Sequence, residues 1–147
     1  MRPSNKEYSE IVKKLSPPSP KIKDFIWAFC VGGLICVIGQ LFMELYTYLN
    51  FTQKEIKALV PVTLIFIAAL LTGLRLFDKI AKRAGAGTLV PITGFANAVV
   101  SPAIEFKSEG WVLGLGAKMF TIAGPVIVYG TVASVVYGVI YWITTLF

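Results

Sequence analysis

The residues able to do chemistry in this chain are few, and their types narrow the field at once. No histidine occurs among the 147 residues, which removes imidazole general bases, His metal sites and an imidazole pH switch. The two cysteines, Cys30 and Cys36, lie in one apolar run. On a helix they would be rotated by roughly 600° from one another, on different faces and too far apart to bridge. Apolar packing is their expected role. Glu105 and Glu109 form an i,i+4 carboxylate pair in a short polar stretch, and with no nucleophile or metal cluster beside them they read as a solvated face. No glycine sequence follows a strand pattern in the way a nucleotide-binding loop requires. The expectation is no enzyme, no cofactor and no metal.

What remains is polar groups embedded in apolar sequence. Ala28, Gly32, Cys36, Gln40, Glu44 and Tyr48 recur every fourth residue, so one slowly drifting helix face is small at one end and polar at the other. Polar side chains at membrane depth face a bundle interior or an aqueous path. Gln40 and Glu44 are therefore candidates for lining a pathway or for bonding helix to helix. Gly130, Ser134 and Gly138 form a small-xxx-small ladder that lets two helices approach closely, within one subunit or between copies. Gly32 is a candidate for the same packing role. The central stretch places Pro91, Gly94, Asn97, Pro102, Lys118, Gly124 and Pro125 within apolar sequence. Helix breaks at that depth free backbone groups that lipid cannot satisfy, so they are buried in protein or line a water-filled cavity. Half-helix amino termini with Lys118 would suit a small anion; the alternative is proline-kinked packing with Lys118 reaching a headgroup. Breaks are expected at Pro91, Gly94, Pro102 and Gly124-Pro125.

The elements that must position these residues are membrane helices. Hydrophobic residues make up 56% of the chain, charged residues 15%, and mean hydropathy is +0.73, too little charge to cover a soluble core of this size. An all-α polytopic membrane protein is expected, with segments at about 25–49, 59–77, 88–104 and 119–143, the third short and broken by proline and glycine. The alternative is three spans with a re-entrant hairpin at 88–122. Residues 111–147 as one helix would be about 55 Å long against a hydrocarbon core of about 30 Å, so a break or bend is expected there.

Residues 1–24 carry a basic, proline-interrupted segment, in which Tyr8, Ile11, Val12 and Leu15 recur at helical spacing. A short amphipathic helix on the membrane surface is one reading and a disordered basic tail the other. Residues 16–20 are expected to end any such helix. The net charge of +6 points to anionic lipid and cytoplasmic loops rather than to nucleic acid. Positive charge in residues 1–24 and at Arg75, Lys79, Lys82 and Arg83 places both stretches in the cytoplasm, with 50–58 on the other side.

The run ITGFANAVVSPAIEFKSEGWVLGLGAKMFTIAGPVIVYG at 92–130, with GGLICVIGQ at 32–40 and the lysine- and proline-rich amino terminus, resembles the SpoVAC/SpoVAEB family of endospore-forming bacteria. The runs SPAIEFK and LGLGAKMF favour its AC branch. The resemblance implies a subunit of a channel in the spore inner membrane that moves calcium–dipicolinate during sporulation and germination, with tension as a gating stimulus. It also implies partners within the SpoVA system, namely the membrane AEB protein and the soluble AD protein, in a homo- or hetero-oligomer. A secondary dipicolinate transporter and a non-conducting scaffold that docks a soluble partner are the rival readings. Dipicolinate is a small planar dianion, so Asn97, Lys118 and the Gly94 and Gly124 breaks are expected near a shared pathway that Gln40 faces.

Overall fold

The computed structural model of the chain describes residues 4–15 and 21–146. Among these residues the regular structure is helical throughout: α1 (Asn5–Leu15), α2 (Lys21–Tyr48), α3 (Gln53–Gly73), α4 (Phe77–Ala84), α5 (Ala86–Leu89), α6 (Ile92–Glu105) and α7 (Ala117–Leu146). A 3-10 turn at Lys107–Glu109 and a π-helical segment at Trp111–Gly116 join α6 to α7. Among the described residues, three helices are long and apolar enough to cross a membrane: Ile22–Tyr48, Gln53–Gly73 and Trp111–Leu146. Their surfaces carry exposed Phe25, Phe29, Leu34, Val62, Phe66, Val135 and Ile140, as helices in contact with lipid do. The chain is an all-α membrane protein.

Local chemistry sets the helix ends. Ser4 and Glu7 cap α1 reciprocally: Ser4 N–H donates to Glu7 Oε2 at 2.8 Å and Glu7 N–H to Ser4 Oγ at 3.4 Å. Thr52 and Glu55 repeat the device at the start of α3. Because of it α3 begins at Gln53, ahead of the expected segment start near 59. At the other end α3 stops at Gly73 rather than near 77. Arg75 adopts φ 57°, its N–H donates to Thr72 O at 3.0 Å, and Leu76 N–H donates to Leu71 O at 2.9 Å, which closes a Schellman turn. Asn50, at φ 62°, closes α2 in the same way, with bonds from Asn50 to Thr47 and from Phe51 to Tyr46. Within the basic stretch, Phe77–Ala84 is itself helical. In α4, Phe77 and Ala84 are buried while Asp78, Lys79, Lys82 and Arg83 are exposed.

The third expected segment divides. Pro91 has extended backbone (φ −64°, ψ 163°) between α5 and α6. The helix that follows is about 21 Å long, short of a hydrocarbon core of about 30 Å. Of the expected breaks, only Pro91 falls at a helix boundary. Gly94 and Pro102 lie inside α6, and Gly124 and Pro125 lie inside α7, which continues from Ala117 to Leu146. Pro125 removes one backbone donor, a loss a helix survives where the rest of the ladder holds. The interruption comes earlier, at Gly110, whose φ of 104° belongs to glycine.

The packed centre lies where α3, α4 and α6 meet. Ala68, Phe77 and Ala96 form a buried cluster, with Leu71 and Ala81 against it. Helix α6 packs between α3 and α7, while α2 packs on α3, α4 and α5. From Pro125 to Leu146 every residue of α7 is exposed.

Candidate functional site

Among the described residues, two hydroxyl-centred contacts tie neighbouring helices together. Between α2 and α3, Tyr46 Oη lies 2.6 Å from Thr63 Oγ1. The Thr63 hydroxyl donates to Leu59 O at 2.9 Å, so its oxygen accepts from Tyr46. Between α3 and α6, Thr72 Oγ1 lies 2.8 Å from Ala68 O and 2.9 Å from Asn97 Oδ1. Thr72 is buried and Asn97 half-buried. Sequence reasoning singled out Asn97 but not Thr72 or the Tyr46–Thr63 pair.

Backbone contacts complete the frame at the other face of the core. A Cβ at Gly87 of α5 would strike the backbone of Ala28 in α2. Gly32 lies one turn on, where a Cβ would sit 3.4 Å from Gly87 O. Gly94, in the first turn of α6, packs against the carbonyl oxygens of Thr88 and Leu89. The amino end of α6 is thus covered by the end of α5 and is not open to an anion. Thr93 beside it is 7% exposed, and its Oγ1 has no hydrogen-bond partner.

The remaining sequence candidates are not brought to one place. Gln40 and Glu44 bond to each other, Gln40 Nε2 donating to Glu44 Oε1 at 3.3 Å, and both are exposed on α2. Lys118 Nζ stands 4.7 Å from the centre of the Phe106 ring. Phe106 is the carboxyl cap of α6, so Lys118 belongs to the end of that helix where a cation offsets the negative dipole end. The amino end of α6 lies about 21 Å away along its axis. The expected convergence of a half-helix amino terminus with Lys118 is therefore replaced by two separate contacts. Gly130 and Gly138 have open space where a Cβ would stand, and Ser134 Oγ donates to Gly130 O at 2.8 Å within its own helix. Gly114, in the π-helical segment, packs on Phe106 O and on Glu109. Gly87 was the signal most easily passed over, because a glycine in a basic loop reads as a turn until the neighbouring helix is known.

These features describe a helical membrane protein whose helices are joined by threonine hydroxyls and bare glycine backbone, with polar groups left on its exposed surface. Residues 24–140 match the SpoVAC/SpoVAEB sporulation membrane protein family, and the chain belongs to that family. It is 47% identical over 134 residues to stage V sporulation protein AC of Bacillus subtilis (strain 168), an alignment covering 90% of this chain and 89% of that protein. No solved structure matches it.

Proposed function

We propose that this sporulation membrane protein is a subunit of a channel that carries calcium–dipicolinate across the spore inner membrane, with the pathway lying between chains rather than within one. The observation that carries the proposal is the Gln40–Glu44 pair, a carboxamide and a carboxylate exposed in the apolar run of α2. Such groups need water or a partner. A single chain provides neither beyond the pair itself, so a second chain or an aqueous lumen between chains supplies it. The open ladder of Gly130, Ser134 and Gly138 offers a close-packing face for that assembly. Family membership supports the sporulation setting, and the cargo, the SpoVA partners and gating by tension are part of the same reading. The amino-terminal segment and α4, both rich in lysine, are placed on the cytoplasmic side.

The test is patch recording of the purified chain in liposomes, with and without its SpoVA membrane partner, stepping tension with calcium–dipicolinate present. Conductance steps are expected, and Glu44→Gln should change their size or ion preference. Silence in both preparations up to lytic tension, with folding verified, would sink the channel reading in favour of a scaffold. Conduction untouched by Glu44→Gln and Gln40→Leu would remove those residues from the pathway.

A further inference from the structure

Where α2 enters its apolar run, Lys23, Asp24 and Trp27 face Lys82 and Arg83 of α4 across a cleft of about 410 Å³. Three cations stand there against one carboxylate, so the cleft has a net positive charge. A second hollow extends from the same wall of α4 toward Lys79 and Ile80. Ile80 also lines a different cavity of about 160 Å³, which runs between α2 and α3 and is walled by Val31, Leu34, Phe77, Thr88 and Thr93. Its lining is apolar apart from the two threonines, and Thr88 already donates its hydroxyl proton to Gly85 O at 3.0 Å. The second hollow therefore links the two: it shares Lys82 and Arg83 with the basic cleft and Ile80 with the apolar slot.

We propose that the cleft, the hollow and the slot together hold one anionic phospholipid, its phosphate on Lys23, Lys82 and Arg83 and the upper part of one acyl chain passing along the hollow and Ile80 into the slot between α2 and α3. A cation cluster alone would suit any small anion. The adjoining apolar slot favours an amphiphile, because a free anion gains nothing from it. Trp27 agrees with that depth: it is 41% exposed at the rim of the cleft, where an indole sits at headgroup level. Basic pockets between membrane helices on the cytoplasmic side take anionic headgroups for the same electrostatic reason. The inference does not depend on the channel reading.

The experiment uses the full chain in neutral detergent with Trp111→Phe and Trp142→Phe, which leaves Trp27 as the reporter. Dioleoyl-phosphatidylglycerol should change its emission saturably. Lys82→Gln with Arg83→Gln should raise the half-saturating lipid concentration by about thirtyfold, at the usual contribution of a basic residue near an anionic surface. Lys54→Gln with Lys57→Gln, at the opposite end of α3, should leave it unchanged. Dioleoyl-phosphatidylcholine saturating as well as phosphatidylglycerol would overturn the headgroup assignment. Inorganic phosphate or glycerol phosphate reproducing the response at equal concentration would overturn the acyl-chain slot and make the cleft a soluble-anion site.

Discussion

Thr72 of α3 and Asn97 of α6 meet at 2.9 Å, joining two helices whose sequence positions lie well apart. The hydroxyl has one proton, and Ala68 O is 2.8 Å away on its own helix. With its amide turned so that nitrogen faces Thr72, Asn97 donates to the hydroxyl oxygen and the hydroxyl donates to Ala68 O, which satisfies all three groups. Asn97 thereby has a structural task whether or not it also meets a pathway. Thr72→Val should cost more than Asn97→Ala, because it strands a half-buried amide. Their coupling in a double-mutant cycle should be about 0.6–1.7 kcal/mol. Unfolding in mixed micelles measures it, and a coupling near zero would show that the contact is not formed.

The glycines give a graded prediction. Gly87→Ala places a methyl group against the Ala28 backbone, and α5 must back away from α2. A cost of about 1–3 kcal/mol is expected for such overpacking. Gly32→Ala, with its nearest atom at 3.4 Å, should be close to neutral. At Gly33 nothing lies within 4 Å, so alanine there should stabilise α2 by up to about 1 kcal/mol through helix propensity. The order of the three midpoints in one denaturation assay checks the fit of α5 on α2; an undamaged Gly87→Ala would refute it.

Lys118 makes a separate case. Its ammonium lies over Phe106 at the carboxyl end of α6. Lys118→Arg keeps the cation on the ring and should be tolerated, while Lys118→Gln should cost about 0.5–2 kcal/mol. Phe106→Leu should cost a similar amount, and the two losses should not add. If Lys118→Gln instead leaves stability intact but alters dipicolinate flux, the residue serves the cargo and not the helix end.

The membrane class and the long helices were legible because apolar runs of that length admit few alternatives. The starts of α1 and α3 went unread, although Ser4 with Glu7 and Thr52 with Glu55 are capping boxes written three residues apart. The inner faces of α4 were masked by their charges, since Phe77, Ala81 and Ala84 recur at helical spacing among lysines and arginine. Gly124-Pro125 misled because a proline breaks a helix only where the lost bond has no surrounding support, and α7 runs on through it. The partners of Asn97, Gly32 and Lys118 were not readable, because periodicity gives the face of a helix and not the neighbour that covers it.

Acidification offers a test in the amino-terminal helix. Glu7 accepts from the Ser4 backbone N–H, and this bond chiefly, with the Ser4 side chain second, holds its carboxyl below the ordinary value of 4.5. A depressed folded-state pKa means that the cap contributes above the unfolded value and is lost as pH falls through the folded one. Carboxyl carbon-13 titration of the full chain should place Glu7 below the ordinary 4.5. Ser4→Ala should raise Glu7 toward 4.5 and fray α1 at neutral pH. An unshifted Glu7 in the native chain would mean that the capping box does not form.

The turn after α6 decides how many times the chain crosses. Helix α6 is about 21 Å long, which argues for a limb that turns back within the bilayer. Against that, Glu105, Lys107, Ser108 and Glu109 are all exposed, and three charges in one turn demand water. The exposed Trp111 follows them directly, as an interfacial aromatic would. We therefore expect the turn to emerge on the face where α2 and α3 are joined, with Lys and Glu side chains making up the missing length by snorkelling. In a chain with Cys30→Ala and Cys36→Ala, Ser108→Cys should react with a membrane-impermeant thiol reagent from the same side as Gln53→Cys and from the side opposite Lys82→Cys. Protection of Ser108→Cys from both sides, while the two reference positions label normally, would establish the re-entrant hairpin and leave α7 as the third and last crossing.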